Sequence, residues 1–284
     1  MKRFLAGALV ATALSATAAF AQQPDTLGRI KATQVINVAF ASDAPPFSFA
    51  GPDRVPAGYS IDLCKRVIAR IGQVVGNPGI KVNWIAGSVA ERLQMLKSGK
   101  ADLDCANTTQ TLTRLANVDF SSLIFVDAGS VILRADSPVN SIAELAGRKI
   151  AVLKDTTTEK RLNAIVRADL PGTQVLPVTD VKEGLAMLES GAVEAYAGDR
   201  IKLVVLAVEN KPGKFVLLTE ELSLEPYAIG LPRGDSALRL EVNRALTQVY
   251  LSGEIETIFA NWLGKLGRPT GLLAAMFLLN SIPE

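Results

Sequence analysis

The chain of 284 residues carries 30 basic and 28 acidic residues, two cysteines and no histidine. Near-neutrality argues against a nucleic-acid partner, whose binding rests on neutralising phosphate charge. The lack of histidine removes Ser-His and Cys-His nucleophile pairs and histidine-ligated zinc, and the length favours two lobes of roughly 100–150 residues over a single core.

The chain opens as an export signal. Lys2 and Arg3 precede an apolar run from Phe4 to about Ala19, and Ala19-Phe20-Ala21 supplies a small-x-small cleavage site before Gln22. Residues 1–21 are therefore expected to be removed, leaving a periplasmic protein, and loss of Lys2 and Arg3 brings the 30 basic residues level with the 28 acidic ones. A membrane anchor fits less well, because the run is rich in Ala and Thr and has no charged stop-transfer flank. The apolar tail from Leu272 to Leu279 is too short to span a bilayer.

Ile36, Val38 and Phe40 alternate with smaller or polar neighbours as a strand does, and Ala44-Pro45-Pro46 ends it. Ser60 is the expected cap of a helix whose apolar face is Ile61, Cys64, Val67, Ile68 and Ile71. Ile80, Val82 and Trp84 make the next strand, and Ala90 to Ser98 the next helix, stopped by Gly99. Ser141-Ile142-Ala143-Glu144, closed by Gly147, and Thr156-Thr157-Thr158-Glu159, which follows the strand Ile150 to Leu153, both read as capping boxes. A helix is expected from Asp199 to Asn210, and two more over Ser236 to Ser252 and Glu254 to Leu263. Strands alternating with helices mean βαβ units around a mainly parallel sheet.

Two stretches repeat each other. Leu93 to Asp102 and Leu185 to Glu194 both read as a helix end, a Ser-Gly stop and the start of a strand. The first copy runs on to Asn107, Thr109 and Arg114, the second to Gly198-Asp199. Ligands of open α/β sheets bind at the carboxyl ends of strands. Each half thus presents polar groups at such an end, an arginine from one and an aspartate from the other, suited to a small zwitterion. Arg114 can take a carboxylate bidentately with help from Thr109, and the free N–H groups at Thr156 and Thr157 attract an anion. Taken singly, Arg114 also reads as a solvated arginine and Asp199 as a helix cap; their matched placement favours a site.

Phe125 to Leu133 and Tyr227 to Leu231 are the expected crossovers between lobes. This places lobe 1 at residues 22–126 with 227–284 and lobe 2 at 127–226. Cys64 and Cys105 then share a lobe, either as one bridge or as two buried thiols, and export favours the bridge. Catalytic groups are sparse: there is no Cys-x-x-Cys, glycine-rich phosphate loop or acidic triplet with metal spacing, so neither cofactor nor metal is expected. Asp199 or Glu225 remains available as an acid or base for a small lyase, the second reading. A sensor module, the third, is expected to carry a tether, which the residues up to Glu284 do not supply.

These residues resemble the polar amino-acid-binding branch of the periplasmic solute-binding proteins, the capture subunits of ABC importers. The likeness runs from about Val35 to Leu263 and rests on Pro46-Phe47-Ser48-Phe49, Gly58 to Leu63, Ala101-Asp102-Leu103 with Thr109 and Arg114, Val118 to Ser121, Gly191 to Asp199, and Ile258 to Leu263 around Trp262. It implies a type II periplasmic-binding-protein-like α/β fold, two lobes hinged on two crossover strands, with no catalysis. A monomer would capture an amino acid and pass it to membrane permease subunits. By resemblance, Arg114 holds the ligand α-carboxylate with Thr109 and the N–H groups of Thr156 and Thr157, Asp199 takes the α-ammonium, and Asn107 adds backbone contacts. The glutamate/aspartate-binding group looks nearest. It uses an arginine at Arg92 for the side-chain carboxylate and a second where this chain has Ala41. Other members sandwich the ligand between aromatics at positions held here by Ala44 and Val89. The implied ligand is a polar amino acid, glutamate or aspartate slightly ahead of a neutral one.

Overall fold

The computed structural model describes residues 25–205 and 212–283. The expected signal segment, residues 1–21, and the end of the helix expected over residues 199–210 lie outside the described residues.

The first half runs α1 (Thr26–Thr33), β1 (Val35–Phe40), β2 (Asp43–Ala44), β3 (Ser48–Ala50), β4 (Pro56–Ala57), α2 (Tyr59–Val74), β5 (Lys81–Ala86), α3 (Val89–Lys97), β6 (Leu103–Asp104), α4 (Leu112–Leu115) and β7 (Asp119–Arg134). The second runs β8 (Lys149–Leu153), α5 (Thr157–Asp169), β9 (Gln174–Val178), α6 (Val181–Glu189), β10 (Ala195–Asp199), α7 (Arg200–Val205) and β11 (Phe215–Leu217). β12 (Ser223–Leu231), α8 (Ser236–Leu251), α9 (Glu254–Leu263) and α10 (Gly271–Leu279) complete the chain.

Among the described residues, one mixed sheet orders its main path β5-β1-β6-β12-β7-β10-β8-β9. The sequence repeat becomes geometry here. Each end of the sheet places its three parallel strands second, first, third, as β5-β1-β6 and β9-β8-β10. Gly99 and Gly191 stop the helices of the two copies at φ 70° and 74°, a region that L side chains avoid. The two expected crossovers lie inside β7 and β12, which pair antiparallel from Ser223 opposite Gly129 to Leu231 opposite Asp119.

The apolar core divides at these strands. One cluster joins residues from Ile30 to Phe125 with residues from Tyr227 to Phe277, and two others draw only on residues from Val131 to Leu222. At the seam, Phe47, Tyr59, Phe125 and Tyr227 pack mostly edge to face, with ring centroids 4.9–6.1 Å apart. The Tyr59 hydroxyl donates to the Ile124 carbonyl at 2.7 Å, so this aromatic floor leaves no stranded polar tip there. Cys64 of α2 and Cys105, just past β6, are joined by a disulfide with Cα atoms 6.1 Å apart, tying helix to sheet.

Two caps differ from the sequence reading. α2 starts at Tyr59 from Gly58, not from a Ser60 cap, because the Tyr59 and Ser60 N–H groups donate to the Pro46 and Phe47 carbonyls. The Ser141–Glu144 stretch yields only a 3-10 turn over Ala143–Leu145, with the Glu144 carboxylate accepting the Asn140 N–H.

Candidate ligand-binding site

The carboxyl ends of β1, β5, β6, β8 and β10 open onto one cleft of about 350 Å³. That volume suits a molecule the size of a free amino acid. Arg114, Thr109 and Asn107 line it from the first half, and Asp199, Thr156 and Thr157 from the second. Arg92, Ala41 and Val89 line it too, at the end built by β1 and α3. The structure therefore brings the positions selected for ligand contact to a single cavity, whereas Glu225, the acid or base of the lyase reading, is buried and does not line it.

Thr111 caps α4 by accepting the Arg114 N–H at 3.1 Å, which sets the helix that carries this arginine. The guanidinium is anchored by donating from Nη1 to the Thr109 carbonyl at 2.8 Å. Loss of water lowers its pKa, so a ligand carboxylate would restore solvation that the cleft has removed. Across the cleft, Thr156 uses its hydroxyl fully as a cap, donating to the Leu153 carbonyl and accepting the Glu159 N–H. The N-terminus of the 13-residue α5 thus opens on the cavity with its dipole positive.

Asp199 ends β10, with a mostly covered side chain. Its Oδ2 accepts from Asn107 Nδ2 at 2.6 Å and lies 3.9 Å from Lys202 Nζ; its Oδ1 lies 3.5 Å from the Thr158 hydroxyl. Asp127 stands behind it on β7, accepting the Ala128 N–H, the Ile201 N–H and the Tyr227 hydroxyl. Burial, followed by the nearby Asp199 charge, pushes the Asp127 pKa up to about 7.

Arg92, expected by resemblance to meet the side-chain carboxylate of a ligand, already pairs with a carboxylate of the protein. It is 2% exposed, and its Nε donates at 2.8 Å to Asp104, itself fully buried. Nη1 donates to the Gly87 carbonyl and Nη2 to the Thr108 hydroxyl, whose own proton goes to Asp104 at 2.6 Å. Five N–H donors with three in use leave two, and Arg92 lines the cavity although its charge is balanced. Ala41 and Ala44, each 3% exposed, keep this end free of large side chains.

Sequence reasoning missed Lys202 and Asp127 and gave Glu225 only a general acid–base role. Lys202 had a faint signal, three residues past Asp199 on the helix that leaves the strand. Glu225 is fully buried, with the Thr109 and Thr157 hydroxyls each 2.6 Å from its Oε2 and the Ser223 hydroxyl 2.5 Å from its Oε1. Among the described residues no group of three or more histidine, cysteine, aspartate or glutamate side chains could hold a metal ion.

Residues 36–265 match the family described as "Bacterial extracellular solute-binding proteins, family 3". The chain is 30% identical over 270 residues to the L-glutamate/L-aspartate-binding protein of Pseudomonas aeruginosa, covering 94% of this chain and 89% of that one. It is 28% identical to an ABC transporter glutamine-binding protein of Bacillus subtilis, over 84% of this chain and 85% of the other. Among solved structures, a solute receptor for L-cysteine of Neisseria gonorrhoeae superposes with a TM-score of 0.74 at 26% identity, over 84% of this chain and 94% of that one.

Proposed function

Because the chain belongs to family 3 of the bacterial extracellular solute-binding proteins, we propose that its cleft captures a free polar amino acid for delivery to an ABC permease in the inner membrane. Its fold is the type II periplasmic amino-acid-binding fold, two α/β lobes hinged on two crossover strands. We take lobe 1 as residues 22–126 with 227–284 and lobe 2 as residues 127–226, with residues 1–21 removed on export to the periplasm. The working form is a monomer.

One observation carries the reading: Arg114 and Asp199, of opposite charge, line the same amino-acid-sized cavity from different lobes. Arg114 and the N–H groups at the start of α5 receive the α-carboxylate, and Asp199, with Asn107 beside it, receives the α-ammonium. Their separation across the hinge makes the ligand the link that holds the lobes closed.

At the side-chain end, the two remaining Arg92 donors take an oxygen. Asp104 already balances the Arg92 charge, so a carboxylate gains only a modest advantage over an amide. Glutamate and aspartate therefore lead glutamine by a small margin. The names of the relatives, glutamate/aspartate-binding and glutamine-binding, agree with such a pocket.

A thermal-shift screen of the twenty amino acids against the purified mature protein tests this, since a ligand that binds only the folded form raises its stability by mass action. The proposal predicts a rise with glutamate, aspartate or glutamine, and no shift with any amino acid removes it. Mass spectrometry of the incubated ligand separates receptor from lyase: a receptor returns it unaltered.

A further inference from the structure

Behind the cleft residues Thr109 and Thr157 lies a buried carboxylate whose partners come from both lobes. Glu225 lies in the crossover strand β12, without exposed surface. Its Oε2 accepts the hydroxyl protons of Thr109 and Thr157, each at 2.6 Å, and the two hydroxyl oxygens stand 3.4 Å apart. Thr109 follows β6 in the first lobe, and Thr157 is the first residue of α5 in the second. Ser223 holds the other oxygen of the carboxylate at 2.5 Å from the same strand.

A threonine hydroxyl has one proton. Once both have gone to Glu225, neither is left for a ligand carboxylate, which must be met by Arg114 and backbone N–H groups instead. Bonds to an ionised acceptor out of water are short and strong, and these two end on one oxygen atom. Thr109 also carries the carbonyl that anchors Arg114 at 2.8 Å, so whatever fixes Thr109 fixes the guanidinium.

We propose that Glu225 is a positioning residue that latches the two lobes: by binding Thr109 and Thr157 together it holds the cleft near its closed geometry before ligand arrives and aims Arg114 at the ligand carboxylate. The inference rests on the two-lobed receptor reading above. Apparent affinity scales with the fraction of protein in the binding-competent state, so the latch raises it without touching the ligand.

The test uses the mature chain with Glu225→Ala, Glu225→Gln and Thr157→Val. Gln retains a carbonyl able to accept both hydroxyls, whereas Ala removes the acceptor. Thr157→Val removes one arm while leaving the carboxylate its Thr109 and Ser223 partners. Small-angle scattering of the ligand-free proteins reads closure directly, and calorimetry with L-glutamate and L-glutamine reads affinity. Glu225→Ala and Thr157→Val should both expand the ligand-free particle and weaken binding of whichever probe the wild type takes by about tenfold or more, with Glu225→Gln restoring most of the compaction. A carboxylate that merely stabilises the fold would lower the melting temperature of its variants and leave the ligand-free scattering unchanged.

Wild-type scattering from folded Glu225→Ala, or from Thr157→Val if the alanine variant does not fold, overturns the latch. If the wild type binds neither probe, the proposed ligand class fails, while the scattering comparison still decides the latch.

Discussion

Asn107 and Asp199 meet across the cleft, with Nδ2 of the asparagine 2.6 Å from Oδ2 of the aspartate. Asn107 follows β6 and Asp199 ends β10, the third strands of the two halves. Equivalent positions of an internal repeat thus face each other, and the bond between them holds the Asp199 carboxylate, the group proposed to take the ligand ammonium, in place. One of its oxygens also faces Lys202 at 3.9 Å, which tempers the negative charge an incoming ammonium meets.

The clamp is tested by removing either charge. Arg114→Ala should weaken binding of the amino acid found by screening by roughly 2–5 kcal/mol, the usual cost of stranding one member of a desolvated charged pair. Asp199→Asn keeps the shape and one acceptor and should cost at least about 1.4 kcal/mol, a tenfold loss. Titration calorimetry decides both, and wild-type affinity in Asp199→Asn would leave that residue only its place at the strand end.

Arg92 makes a prediction about stability before one about specificity. Its partner Asp104 is fully buried, so Arg92→Ala strands a carboxylate in the core and should destabilise the fold by roughly 3–5 kcal/mol. Because Asp104 already balances the charge, wild-type affinities for glutamate and glutamine should lie within about tenfold of each other, or about 1.4 kcal/mol. A thousandfold preference for glutamate would show that Arg92 acts as an unpaired cation towards the ligand.

What the sequence makes legible here is local. The Ser-Gly stops at Gly99 and Gly191 require a backbone region open to glycine, so both repeats and their strand ends can be read from spacing, and with them the placement of Arg114 and Asp199. The start of α2 cannot: its first N–H groups bond to the carbonyls of Pro46 and Phe47, on a loop more than ten residues upstream. From sequence Glu225 is only a spare acid or base just ahead of the expected strand Tyr227 to Leu231, because its partners Thr109 and Thr157 lie 116 and 68 residues away. The Arg92–Asp104 pair spans only 12 residues, yet nothing in the spacing says that the helix residue turns inward to meet the strand.

The Cys64–Cys105 bridge closes a loop of 41 residues. Restriction of the unfolded chain by a loop of this size is worth about 4 kcal/mol in the chain-entropy picture. Cys64→Ala with Cys105→Ala should therefore lower stability by roughly 2–4 kcal/mol in denaturant titrations. Alkylation of the periplasmic protein under denaturing, non-reducing conditions should label no thiols; two labelled thiols would contradict the bridge.

Asp127 should make the stability of the fold depend on pH. Its pKa is raised to about 7 in the folded protein, first by burial and second by the charge of Asp199, against an unfolded value of about 3.9. The folded state therefore holds the proton where the unfolded chain has lost it, and the sign follows. This contribution to stability is complete below about pH 4 and is lost as pH rises through about 7. Asp127→Asn should remove it, flattening the fall in stability between those limits. The wild-type fall amounts to a few kcal/mol, since each tenfold difference in proton affinity between the folded and unfolded states is worth about 1.4 kcal/mol.

With the α-ammonium at Asp199 as proposed, ligand should act on the same group in the opposite sense. An α-ammonium seated at Asp199 cancels part of the repulsion that Asp127 feels, lowering its pKa and expelling a fraction of a proton near pH 7. Affinity should then rise with pH up to about 7 and level off above it. Calorimetry at pH 7 in two buffers of different ionisation enthalpy measures the proton directly, and Asp127→Asn should abolish the difference between them. A wild-type binding enthalpy independent of buffer, or a dependence that survives in Asp127→Asn, would show that the ammonium does not settle beside the Asp199–Asp127 pair.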